Sequence, residues 1–114
     1  MEVDVSRFLT KPELQMVDEY ELERDREYLM EMYPARARII MVMVEDACDK
    51  LEYEGSPLYA MYPDRETIYG ISGQIYDKLR YNDTDHNLRH MIDVMLCNEF
   101  FVRRSRYKRR RKFF

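Results

Sequence analysis

Eight of the ten residues from Arg103 to Lys112 are basic. Arg103, Arg104, Arg106, Lys108, Arg109, Arg110, Arg111 and Lys112 can each neutralise a phosphate, and the planar donor fork of guanidinium matches phosphate oxygens. Tyr107 inside the run, and Phe113 and Phe114 after it, have rings able to stack on unpaired bases. This stretch carries +8, whereas residues 1–102 hold all 22 acidic side chains against eleven Lys and Arg, a formal charge of −11. The overall −3 therefore averages two opposite regions. An acidic body with a cationic end is suited to meet an anion. Nucleic acid is the preferred partner; an acidic protein surface, in this chain or another copy, is the alternative, with the stretch from Asp18 to Glu31 an example of such a face. An anionic membrane surface is a third class. On a helical wheel the eight cations surround the axis, which tells against a membrane-surface helix and for a solvated arm.

The other chemistry-bearing constellation is His86, His90, Asp93 and Cys97. At 100° per residue these four fall within about 60° on one side of a helix. Imidazole, carboxylate and thiolate together suit zinc. Helix geometry spreads them over about 16 Å, however, which leaves His86 and His90 as the natural pair. The plainer interpretation is an exposed polar stripe, and no metal site is expected. Glu45 with Asp49, and Glu27 with Glu31, resemble carboxylates of a two-metal bundle, yet the chain has no Glu-x-x-His unit. Cys48 lies on an apolar stripe, where a thiol is ordinarily an inert small hydrophobe. Glycines at 55, 70 and 73 cannot build a phosphate loop. The expectation is a non-enzymatic binding module without a cofactor.

Helices must position these groups. Three Gly and four Pro leave little material for hairpins. A polar helix is predicted from about Glu13 to Met32, with Leu22, Leu29, Met32 and Tyr33 on a narrow stripe and Pro34 marking a break. A second helix, about Ala35 to Tyr53, carries Ala37, Ile40, Met41, Val44, Ala47, Cys48 and Leu51 on one face. Its run IIMVMV adds Ile39 and Val42 on the far side, which predicts cover on more than one face. Gly55 fits a helix C-terminal cap, and Ser56-Pro57 fits a cap followed by proline at a first helical position. A third helix starts near Asp64, carries Ile68, Ile71, Ile75 and Leu79, and ends before Asn82. Gly70 and Gly73 within it imply close approach of a helix or ring. A last helix, from Asp83 or Asp85 past Cys97, has Leu88, Met91, Ile92, Met95 and Val102 as its core face. The basic segment either prolongs it or frays. The predicted core holds Leu29, Ile40, Val44, Cys48, Leu51, Ile71, Ile75, Leu79, Met91 and Met95. Tyr53, Tyr59, Tyr62, Tyr69 and Tyr76 cluster in the middle third, where they either roof the core or anchor an interface.

The fold expectation is all-α: a small single-domain bundle or irregular array of about four helices with a basic C-terminal extension. Residues 1–102 form the acidic helical domain and 103–114 the arginine-rich arm. No stretch of about 20 apolar residues predicts a transmembrane segment. The first residues lack a secretory pattern, and two cysteines make no disulfide framework. The expected location is cytoplasmic, and a homo-oligomer is compatible with the charge pattern.

The Tyr33-Pro34 junction, the stretch EDACDKLEYEGSPLYAMYPDR from Glu45 to Arg65 and the basic end together resemble a family of small uncharacterised proteins of clostridial gut bacteria. The shared features are the two Tyr-Pro steps, the Cys-Asp-Lys-Leu-Glu-Tyr-Glu-Gly-Ser helix end and the arginine-rich stretch. The resemblance implies a bacterial cytosolic protein and carries no catalytic residue or activity.

Overall fold

A computed structural model describes residues 18–113, with side chains described as far as residue 110. Among the described residues the fold has four α-helices and no strand. The chain forms two compact units, divided between Tyr33 and Pro34.

In the first unit, helix α1 spans Glu19–Met30. Asp18 caps it, accepting from the Tyr20 amide at 3.1 Å, and Glu19 and Glu21 add negative charge where the helix dipole favours it. No residue of α1 is buried, and Leu29, expected in the core, is half exposed. The predicted start at Glu13 lies outside the described residues.

The second unit is built around one long helix. Helix α2 spans Ala35–Asp49, a 3₁₀ turn spans Pro57–Tyr59, α3 spans Arg65–Leu79 and α4 spans Leu88–Phe113. At 26 residues, α4 is about 39 Å long. It packs against α2, α3 and the 3₁₀ turn, so it supplies the shared wall of the core. Pro34 opens α2, where a missing amide costs nothing. Ser56 caps the 3₁₀ turn through the Leu58 amide at 3.0 Å, with Pro57 at its first position. Asp64 caps α3 through the Glu66 amide at 3.1 Å.

The core consists of Ala37, Ile40, Met41, Val44 and Cys48 from α2, Leu58 from the 3₁₀ turn, Ile75 from α3, and Leu88, Ile92, Leu96 and Phe100 from α4. Each fully buried Leu or Ile contributes about 1.5–3 kcal/mol of transfer free energy. Several expectations are corrected here. Helix α2 ends at Asp49, and Gly55 sits in the following turn with φ of 82° rather than capping the helix. Ile39 and Val42 are exposed, so the far face of α2 is uncovered at these two positions. Met91, Met95 and Val102 are only half-buried, as are Leu51, Ile71 and Leu79. The buried stripe of α4 instead runs through Leu88, Ile92, Leu96, Glu99, Phe100 and Arg103. That stripe keeps helical spacing only if two charged residues belong to it.

Polar contacts lock the helices together. Arg89 donates to Ser72 Oγ at 3.0 Å and to the Tyr69 carbonyl at 2.9 Å, while Ser72 donates to Asp93. Gly73 leaves room for that guanidinium, whereas nothing packs on Gly70. Arg36 near the start of α2 pairs with Asp83 and with Asp85, at 3.0 Å for the latter. These pairs hold the α3–α4 connection against α2. No described helix is long and apolar enough to cross a membrane.

Candidate nucleic-acid interface

The basic segment is helical, continuous with the core-forming part of α4. Its first two cations are engaged by the fold, contrary to the expectation of a solvated arm. Arg103 is 8% exposed. Its Nε donates to Glu99 Oε1 at 2.8 Å, and its Nη1 lies 2.8 Å from Asp49 Oδ1 and 3.2 Å from Glu52 Oε1. Nη2 donates to the Glu45 carbonyl at 3.4 Å. Glu99 is 1% exposed, so the guanidinium and this carboxylate are buried as each other's counterion. Burial works against the Arg103 charge, but Glu99 and Asp49 outweigh it and raise the pKa further. Next to this pair the Cys48 thiol is pushed up to about 12, chiefly by burial.

Arg104 is spent on backbone. Its Nη1 donates to the Leu58 carbonyl at 2.8 Å and to the Ala60 carbonyl, and its Nη2 to the Met61 carbonyl at 3.1 Å. Carbonyls at the end of a short helical turn lack intrahelical donors, and one planar fork supplies several at once. Tyr107, one turn further, stacks on Tyr59 with ring centroids 4.1 Å apart and planes inclined by 21°. The Tyr59 hydroxyl donates to Glu52, which also accepts from Arg103. Burial, then this carboxylate, pushes the Tyr59 phenol up to about 12. One turn of α4 is thereby riveted to the segment after α2.

Beyond this point the chain changes character. Lys108, Arg109 and Arg110 are exposed, and Arg106 is half-buried. The side chains of Arg111, Lys112 and Phe113, and the whole of Phe114, lie outside the described residues. The Tyr59–Tyr107 pair borders two open clefts. One, of about 560 Å³, is lined by Glu52, Glu54, Arg106 and Arg110 as well as by both rings. The other, of about 380 Å³, is lined by Met61, Arg104 and Lys108 beside the same rings.

The other sequence candidates do not converge. His86 precedes α4 and is 90% exposed at its side chain, so it is not on a common helical stripe with His90. Asp93 faces α3 through Ser72 and lies 3.6 Å from Arg89, while His90 and Cys97 are exposed. Among the described residues no group of three or more His, Cys, Asp or Glu could hold a metal ion. Asp49, weighed above as a metal carboxylate, is a partner of Arg103. Of the five mid-chain tyrosines, Tyr59 enters the ring stack, whereas Tyr53, Tyr62 and Tyr69 are exposed. The sequence signal missed was Glu99 with Arg103, an i, i+4 acid–base pair in register with Leu88, Ile92 and Leu96.

No protein-family model, curated protein or solved structure matches the chain.

Proposed function

We propose that the protein is a non-enzymatic binding module whose segment from Lys108 to Lys112 contacts nucleic acid phosphates with little sequence specificity. The supporting observation is the division of labour along the last turns of α4. Arg103 and Arg104 serve the fold, whereas Lys108 and Arg109 are exposed on the same helix. Cations presented by a helix fixed at its root lose less freedom on binding than cations on a loose chain. Contacts made mainly to phosphate position a protein on nucleic acid without reading its bases.

The test keeps the chain whole, because ending it before Arg103 would remove the guanidinium that Glu99 is buried against. Lys108, Arg109, Arg110, Arg111 and Lys112 are replaced together by Gln, and binding to labelled DNA and RNA is followed by fluorescence anisotropy. A loss of roughly tenfold or more at low salt is expected. Unchanged affinity in the neutralised variant would overturn the proposal.

A second reading has its own support in α1, which carries five carboxylates and no buried residue. Here the basic segment docks on an acidic protein surface, such as that of a second copy. It predicts salt-sensitive oligomers without nucleic acid, visible by light scattering.

A further inference from the structure

We infer that the stacked rings of Tyr59 and Tyr107 form a seat for one unpaired base, which makes the ligand a single-stranded nucleic acid. The inference rests on the nucleic-acid reading above and narrows it to a strand type.

Three observations carry it. First, the rings are held in place before any ligand arrives. Tyr107 belongs to α4, and Tyr59 is tied by its hydroxyl to Glu52, itself gripped by Arg103. A preorganised aromatic surface binds a base without a large ordering cost.

Second, the pair is bordered by open space in two clefts rather than being sealed by apolar side chains. The cations are arranged around it by helical spacing. Arg106 and Arg110 lie one turn apart on one flank of Tyr107, and Lys108 on the other. Aromatic faces with interleaved cations are the composition of surfaces that track single strands.

Third, the larger cleft bears Glu52 and Glu54 on its wall. Carboxylates there repel a phosphate but tolerate a neutral base. The favoured pose therefore puts the base against the rings and the backbone along the exposed cations of α4. A duplex offers no free base face to such a surface, because its bases are stacked on one another.

The experiment uses the full-length protein with a short single strand, the matching duplex, and a single strand carrying a fluorescent adenine analogue quenched by stacking. The single strand should bind more tightly than the duplex, and the analogue should be quenched on binding. Tyr107→Leu should weaken single-strand binding by roughly 5- to 100-fold while leaving duplex binding within about twofold. Tyr107→Phe, which keeps the ring, should bind like the parent, and circular dichroism of both variants controls for folding. Equal affinity for strand and duplex with an unquenched analogue would overturn the base seat while leaving the phosphate contact standing. No binding to either nucleic acid would overturn both. Displacement of the strand by a mononucleotide at comparable concentration would assign the seat to free nucleotides and overturn the strand assignment.

Discussion

Glu99 and Arg103 lie one turn apart on α4 and form a buried ion pair, Nε to Oε1 at 2.8 Å, in the same stripe as Leu96 and Phe100. The pair converts a polar interruption into a continuation of the core. Removing Arg103 takes the counterion from a fully buried carboxylate, which costs more than the pair contributes, while without Glu99 the guanidinium still keeps Asp49 and Glu52. Arg103→Ala should therefore lose about 3–5 kcal/mol by urea denaturation and Glu99→Ala less, whereas Glu99→Leu combined with Arg103→Met should lie much closer to the parent.

Thiol chemistry offers an independent check of this packing. Cys48 is fully buried with its pKa pushed up to about 12, and Cys97 is exposed. Ellman's reagent should label Cys97 in the folded protein and reach Cys48 only after denaturation, because the thiolate is the reactive form. Prompt labelling of both in buffer would contradict the buried pair.

The Tyr59 phenol gives a pH prediction with a fixed sign. Its folded pKa is raised to about 12 from an unfolded value near 10. Its contribution to stability is fully present below about pH 10 and is lost as pH rises through about 12. In a phenolate absorbance titration one of the ten tyrosines should ionise late. Tyr59→Phe should remove that late step.

Gly55 has φ of 82°, in the left-handed region, between the end of α2 and the Ser56 cap. A side chain there meets no neighbour, so the cost is conformational alone. Gly55→Ala should destabilise by about 1–2 kcal/mol without altering the spectrum of the folded state. Thermal melts followed by circular dichroism measure this directly.

Local signals were legible wherever one residue type does one job. Pro34, Ser56-Pro57 and Asp64 mark helix starts that the fold adopts, and Ala37, Ile40, Met41, Val44 and Cys48 of the α2 stripe are buried as their spacing implies, with Ala47 half-buried. The start of α4 was read too early, because Asp83 and Asp85 resemble caps of a helix that begins there. Instead they make successive turns, accepting from the Asp85 and Asn87 amides at 3.1 and 2.8 Å, while Arg36 draws both carboxylates toward α2. Leu58 was missed because its connector has no period to reveal a buried position. In the basic segment, composition disclosed the charge but not its partition. Arg103 and Arg104 are indistinguishable from Arg109 in sequence, and only Glu99, Asp49 and the carbonyls of Leu58 to Met61 set them apart.

That partition is tested most directly by the salt dependence of binding to duplex DNA, where no unpaired base is offered and charge alone is counted. Five phosphate contacts from Lys108 to Lys112 predict a log–log slope of about −4.5 for the full-length protein. A slope near zero would contradict the phosphate contact itself. One of about −7 would mean that all eight cations reach the DNA, and that Arg103 and Arg104 are not held by the fold.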